Sequence, residues 1–438
     1  SIKLRSNIYS FIGITVLILV SKIIGLFNKV SSGDSGLNWD QIAVIPGIKY
    51  FRGELINDFL SKSMDGSPYF NSAKILSILL PKDNTEMLAS FSVFNSLFIG
   101  LTDSFAILCI TLSIIYILGK NQKINIKDKL VGRNILFLIT LFYFIEDFLE
   151  KNIIKGSFIN TITLGHDIAD WGFPPGSGLY PNGVAVCIIL LIISLILIIE
   201  VSWIDVNSKH FNKFLWINYL LFIFCIYIHP VVPLLLVFIL FLLRVNVPQK
   251  TSIKVLNNKL IFKFLSLWIL GSIINFFLYD QTKINSEMLF DIYVQARHPH
   301  HYLPSFYLDH NSFLKLGLNF LILIICLVIT KYLNKKNIFI LKMGATAFLA
   351  AFLINFLQFI LVEVLRESIF IKIGLSRMNS IFNFFYVLII ASTLVIIFHR
   401  FSNIKIINLL NLNFRININR LSFIFFGLFI IFLISFKS

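Results

Sequence analysis

Apolar residues occur along the chain in long blocks, which shorter polar stretches separate at irregular intervals. A block of about 20 apolar residues is long enough to cross the hydrocarbon core of a bilayer as a helix. The pattern therefore predicts an all-α fold: a polytopic integral membrane protein with about eleven transmembrane helices. The predicted spans are 7–27, 87–118, 134–149, 183–203, 213–228, 231–245, 260–279, 313–332, 338–362, 379–400 and 421–437.

The composition agrees with a chain that folds in lipid. The sequence is 57% hydrophobic and 14% charged, whereas soluble domains contain about 25% charged residues. No small-residue cleavage site follows the first apolar block, so residues 7–27 are expected to remain as the first span. All four cysteines lie in apolar blocks, which indicates packing in the core rather than a disulfide framework. They are Cys109, Cys187, Cys225 and Cys326.

The distribution of basic residues predicts the orientation. Cytoplasmic loops of multi-spanning proteins are enriched in Lys and Arg, which also explains the net charge of +16 without nucleic acid as a partner. If the N-terminus is cytoplasmic, the basic stretches fall on the loops that the predicted spans place on the cytoplasmic side. We therefore expect a single transmembrane domain over 1–438 with an active face outside. A bacterial cytoplasmic membrane is the expected location. Its predicted outer segments are 28–86, 150–182, 280–312 and 363–378.

The first outer segment and the end of the third span carry carboxylates. Asp34 and Asp40 follow the first span, and Glu146 and Asp147 close the third. A carboxylate at such a position could accept the proton of a substrate hydroxyl as a general base; solvated loop acids and helix caps are the alternative. Further along 28–86, the patterns "QIAVIPGIKYF" and "NSAKILSILL" predict interfacial helices.

The second outer segment combines acids with an aromatic ring. His166, Asp167 and Asp170 precede Trp171 and a turn rich in Pro and Gly. Trp171 could stack on a sugar ring while Asp170 and His166 bind its hydroxyls, and Asp167 is a further candidate base. The alternative is that Trp171 is only an interface anchor.

The third outer segment contains "QARHPHHYLPS", which gathers three histidines beside an arginine. Pro299 and Pro304 prevent a regular helix through Arg297, His298, His300 and His301, so these residues are not expected to form a helical pair of metal ligands. Arg and His together suit a phosphate, because Arg offers a planar fork of donors and His can also move a proton. Arg377, in the fourth segment, could reach the same phosphate. A surface loop without a ligand is the alternative. No metal ligands are nominated, and a divalent cation stays open as a cofactor.

This layout resembles the GT-C superfamily of polyprenyl-phosphate-dependent membrane glycosyltransferases. The resemblance rests on the early acids Asp34 and Asp40, on the interfacial helices, and on the acid cluster of Glu146, Asp147 and Glu150. It implies that an outer carboxylate activates an acceptor hydroxyl and that the sugar donor is lipid-linked. The Arg/His-rich loop also looks like the O-antigen polymerases and ligases, which use undecaprenyl pyrophosphate substrates.

The resemblance implies a polyprenyl-linked sugar, a glycan or lipid acceptor and membrane lipids as partners, in assembly of cell-surface polysaccharide. Three alternatives remain: a polymerase of polysaccharide repeat units, a flippase or transporter of lipid-linked sugars, and a scaffold without activity. A transporter usually places its ionisable residues near the bilayer midplane, whereas these crowd at the predicted outer face.

Overall fold

Every regular element that the structure, a computed structural model, describes is a helix. The described residues are 2–33, 44–57, 61, 71–122, 135–141, 143–144, 182–201, 211–246, 255–278, 289–297, 303–307, 310–333, 339–367, 370–371 and 380–403. The all-α prediction is confirmed over these ranges. The predicted span 421–437 lies outside them, and every other predicted span overlaps a described helical stretch.

The described helices differ in length, and we group them as long helices and short elements. The long ones are α1 (Ile2–Ser31), α4 (Asn84–Gln122), α5 (Asn182–Glu200), α6 (Phe211–Ile228), α7 (Val232–Asn246), α8 (Asn258–Leu278), α9 (His310–Leu333), α10 (Phe339–Gln358) and α11 (Ser380–Asn403). The short ones are α2 (Val44–Phe51), α3 (Asn71–Leu79), the π-helices π1 (Leu289–Arg297) and π2 (Phe359–Val364), and a 3-10 turn (Pro304–Tyr307). Residues 135–141, 143 and 144 are also helical.

Four described stretches are long and apolar enough to cross a membrane. They are Tyr9–Ser31, Asn84–Leu118, Gly183–Glu200 and Lys342–Val364. Shorter apolar helices occupy Asn212–Ile228, Val232–Asn246, Phe320–Tyr332 and Phe384–Ile397. The chain is therefore compatible with an integral membrane protein.

Polar side chains mark where several helices begin. The Asp83 carboxylate accepts hydrogen bonds from the amides of Thr85 (2.9 Å) and Glu86 (3.1 Å), and so caps α4. Asn257 caps α8 in the same way through the Leu260 amide at 2.9 Å. These caps satisfy amides that have no partner inside the helix.

The long helices share one large apolar core. Helix α4 packs along α5 and α1, α5 packs also on α6 and α7, and α11 packs on α9 and α10. All four cysteines are buried in these helices as free thiols, as expected for core residues.

Hydrogen bonds fix which helix ends meet. At one end of the bundle, which we call the upper end, the start of α5 lies beside the end of α6 and the start of α7, with α3 next to them. The bonds run from Asn71 Nδ2 to the Tyr227 carbonyl (2.8 Å), from Trp268 Nε1 to the Pro230 carbonyl (2.7 Å) and from Cys225 Sγ to the Ala185 carbonyl (3.5 Å).

The opposite end, the lower end, is joined by a different set of polar groups. The Glu200 carboxylate at the end of α5 accepts hydrogen bonds from the amides of Val255 and Leu256, just before α8. Asn246, at the end of α7, donates through Nδ2 to Thr346 Oγ1 near the start of α10 at 3.2 Å. Successive long helices therefore alternate in direction between the two ends.

Candidate functional site

The structure describes only one of the residues that the sequence nominated for a site. Arg297 is the last residue of π1, and its side chain is not among the described groups. The other nominated residues lie outside the described ranges, so their roles stay predictions. They are Asp34, Asp40, Glu146, Asp147, His166, Asp167, Asp170, Trp171, His298, His300, His301 and Arg377.

A buried charged cluster, which the sequence reasoning missed, lies inside the helix bundle. Lys22 Nζ is 2.9 Å from Asp103 Oδ2, and the Asp103 side chain is only 1% exposed. The Tyr143 hydroxyl donates to the same carboxylate oxygen at 2.6 Å. Lys22 Nζ also lies 5.7 Å from the centroid of the Tyr143 ring. The cluster therefore joins α1, α4 and the helical residues around 143.

Gly100 allows α1 to approach α4 at this point. A Cβ at Gly100 would lie 2.8 Å from Leu19 Cδ2 and 3.5 Å from Lys22 Cγ. Since real Cβ atoms do not approach so closely, an alanine would require the Leu19 side chain to shift, and a bulky residue would crowd α1 beside Lys22. The glycine and the ion pair are therefore parts of one helix–helix contact.

The cluster lies toward the upper end of the bundle. Thr102, next to Asp103, donates to the Gly183 carbonyl at 3.3 Å, at the start of α5. Asp103 lies within Asn84–Leu118, a stretch long and apolar enough to cross a membrane. In a membrane-spanning helix a charge is costly unless it is paired, and an ionisable residue there is a functional candidate by default. Lys22 and Asp103 each interrupt an apolar block, and this interruption is the feature of the sequence that could have revealed the cluster.

A second feature is a layer formed by parts of the third and fourth outer segments, which we call the π-helix layer. Phe290 and Val294 of π1 pack with Val362 of π2 and with Ile371 in a small apolar cluster separate from the main core. Leu303 packs against the same cluster. The two segments, distant in sequence, therefore meet at one place.

Polar contacts hold the π-helix layer together. Glu363 Oε1 accepts hydrogen bonds from the backbone amide and the hydroxyl of Ser305, each at 2.9 Å. The Arg366 guanidinium lies 4.5 Å from the centroid of the Phe290 ring. Single-turn π-helices are rare and are often found at functional sites. This layer is thus a better-defined candidate than the sequence alone could provide.

An apolar groove lies below the layer, between α9, α10 and α11. Its volume is about 600 Å³. The lining residues include Phe320, Leu327, Gly344, Phe348, Phe352 and Ile389. Helix α10 runs from the groove directly into π2, and α9 begins three residues after the 3-10 turn. The groove and the π-helix layer therefore share their supporting helices.

The first outer segment contains helices at the two places that the sequence predicted. Arg52, just after α2, donates to the carbonyls of Ser77 (3.0 Å) and Leu80 (2.7 Å) at the end of α3. Its Nη1 also lies 3.5 Å from Met87 Sδ at the start of α4. One arginine thus holds α2, α3 and α4 together.

The chain matches no protein-family model, no curated protein and no solved structure. Among the described residues, no group of three or more His, Cys, Asp or Glu side chains could hold a metal ion. Functional inference therefore rests on the residues themselves.

Proposed function

We propose that this chain is a membrane glycosyltransferase that takes its sugar from a polyprenyl-phosphate- or pyrophosphate-linked donor on the extracytoplasmic face. The proposal includes the predicted topology, with about eleven spans, a cytoplasmic N-terminus and the upper end of the bundle facing outside. The observation that carries it is that the apolar groove and the π-helix layer lie on the same two helices, α9 and α10.

This juxtaposition suits an amphiphile with a long apolar tail and an anionic head. The groove has about 600 Å³ of space, lined by apolar side chains, and burial of a hydrocarbon chain contributes about 0.8 kcal/mol per CH₂ group. A water-soluble sugar donor would have no use for such a groove. The groove therefore favours a lipid-linked donor.

The head of the donor would lie at the π-helix layer. The two described residues that flank the histidine cluster, Arg297 and Leu303, belong to segments packed into this layer. Arg297, with His298, His300 and His301, is the proposed phosphate site, and Arg377 is a second cation. As the acceptor oxygen attacks the anomeric carbon, the bond from that carbon to the phosphate oxygen breaks and its electron pair leaves with the phosphate. Fixed donors there stabilise the charge that develops.

The acceptor hydroxyl must lose its proton in the same reaction. The proposed bases are Asp40, Asp34, Asp147, Glu146 and Asp167, and Trp171, Asp170 and His166 are proposed to bind the sugar. Tyr143, a described residue three positions before Glu146, is anchored on the buried Asp103 through its hydroxyl. The charged cluster thus lies next to one of the candidate acids along the chain.

Transfer of a labelled sugar tests the proposal directly. Membranes that contain the protein would be given a labelled polyprenyl-linked sugar, and label leaving the lipid donor would be measured. We expect Arg297→Lys to impair turnover because it keeps the charge but loses the fork, and Arg297→Ala to impair both binding and turnover. Replacing the general base should lower the rate by about 10²–10⁴, whereas His310→Ala, outside the cluster, should have little effect.

Two results would contradict the proposal. Full activity in all variants Asp34→Asn, Asp40→Asn, Glu146→Gln, Asp147→Asn, Asp167→Asn and Asp170→Asn would exclude an acid–base role for these residues. Movement of intact lipid-linked sugar across proteoliposome bilayers, without transfer of label, would identify a flippase instead. A product ladder of repeat units would identify a polymerase within the same chemistry.

A further inference from the structure

Arg366 adopts a backbone conformation that costs free energy. It has a φ of 52°, and it is the described non-glycine residue with positive φ. It follows π2, where the Leu365 amide donates to the Ile360 carbonyl and the Glu367 amide to the Leu361 carbonyl, both at 2.9 Å. Glycine is the usual residue at this position after a helix, because it has no Cβ to clash. An arginine here therefore needs a reason.

The side chain of Arg366 is placed as a ligand-binding group would be. Its guanidinium lies over the face of the Phe290 ring, at 4.5 Å from the centroid. Stacking of this kind fixes the plane of the guanidinium while its N–H donors at the edge still point outward. The residue is exposed, so these donors are open to a ligand.

None of the described acids of this layer forms an ion pair with Arg366. Glu363 uses Oε1 to bind Ser305, and Asp291 and Glu367 are exposed. In the part of the chain that the structure describes, Lys22 and Asp103 form an ion pair, and Arg366 forms no ion pair. A permanent cation thus stands in the π-helix layer with its charge available to an anion.

We infer that Arg366 binds the phosphate oxygens of the substrate at the π-helix layer. The ligand chemistry is a phosphate or pyrophosphate ester, which a planar guanidinium can bind through two oxygens at once. The inference rests on the proposed function, and it adds a residue that the sequence did not nominate as a ligand. The backbone strain at 366 is then the cost of placing a guanidinium where glycine would fold better.

Binding of three probes distinguishes the lipid headgroup from free phosphate. The full-length protein in detergent micelles would be dialysed against radiolabelled farnesyl pyrophosphate, farnesol or inorganic pyrophosphate. We expect farnesyl pyrophosphate to bind more tightly than either of the others. If inorganic pyrophosphate binds as tightly, the site takes free phosphate rather than a lipid headgroup, and the assignment to the lipid-linked substrate is wrong.

Variants at position 366 test the residue itself. Arg366→Gly and Arg366→Gln should weaken binding of farnesyl pyrophosphate about ten- to hundredfold, as expected for loss of a charged hydrogen bond, and leave farnesol binding unchanged. Lys342→Gln is the matched control, since it removes one exposed charge at the lower end of α10, and it should bind like the parent.

Thermal unfolding separates a ligand-binding role from a structural one. Because glycine relieves the strain at positive φ, Arg366→Gly should unfold at the same temperature as the parent or a higher one while losing binding. A lower unfolding temperature together with lost binding would show a structural role and overturn the inference, as would parental binding in both variants.

If the parent and the Arg366 variants all transfer sugar equally, the inference fails and the proposed function stands. If Arg366 controls binding of the phosphate ester and no sugar is transferred, the inference about Arg366 stands and the proposed function fails.

Discussion

At the scale of single residues, Asp103 shows how a charge can be kept inside an apolar bundle. Its carboxylate receives Lys22 at 2.9 Å and the Tyr143 hydroxyl at 2.6 Å. Both contacts offset the loss of hydration that burial imposes. Removal of one partner leaves the other charge uncompensated, whereas removal of both leaves no charge there and costs only the hydrogen bond of the Tyr143 hydroxyl.

We predict that Asp103→Leu and Lys22→Met each lower the free energy of unfolding by about 3–5 kcal/mol. The double variant should recover most of that loss, because no buried charge remains in it. Unfolding in mixed micelles, followed by circular dichroism, measures both effects. Single variants as stable as the parent would mean that the pair contributes nothing to the fold. A stable double variant without sugar transfer would give the pair a role in the chemistry.

The sequence could reveal these two charges but not their pairing. Lys22 and Asp103 interrupt apolar blocks and can be found by inspection, yet nothing in the periodicity of either block says that they meet. The contact depends on how α1 crosses α4 and on Gly100, which only the packed structure shows. The meeting of Glu363 with Ser305 could not be predicted for the same reason.

At the scale of helices, the apolar blocks predicted where described helices lie, and four described stretches are long and apolar enough to cross a membrane. The ends were predicted less well. Helix α4 runs over Asn84–Gln122, beyond the predicted span 87–118, since Asp83 caps its start and polar residues can extend a helix outside the lipid. A helix of this length spans about 58 Å, nearly twice the hydrocarbon core.

We predict that Gly100→Leu destabilises the contact between α1 and α4 by about 1–3 kcal/mol, as overpacking usually does. The matched control is Gly13→Leu on α1, where a Cβ would have no atom within 4 Å. Thermal unfolding of both variants in the same micelles makes the comparison. Equal stability of the two would show that α1 does not need the close approach at Gly100.

At the scale of the whole molecule, successive long helices alternate in direction between the upper and lower ends. The described hydrogen bonds place α3, the start of α5 and the turn after α6 at one end. The predicted base, sugar and phosphate residues, apart from Arg297, lie outside the described ranges. The topology therefore carries much of the functional proposal.

We predict that a cysteine at Ser305 reacts with a membrane-impermeant maleimide in intact cells. Ser305 is exposed in the π-helix layer, and the four native cysteines are buried. Lys342→Cys, exposed at the lower end, should react only after lysis. The opposite result at the two positions would invert the topology and remove the basis for extracytoplasmic chemistry.

The separation in sequence between Lys22 and Asp103 also affects the order of events during synthesis of the chain. The two residues are roughly 80 positions apart, and a ribosome adds about 5–20 residues per second. Under the proposed membrane topology, α1 enters the bilayer with an unmatched positive charge on Lys22, several seconds before its counter-charge Asp103 has been made. During synthesis, α1 must be held by the insertion machinery, or must lie with Lys22 near the headgroups, before α4 arrives. The ion pair thus sets an order of assembly, in which α1 reaches its final position only after α4 has been inserted.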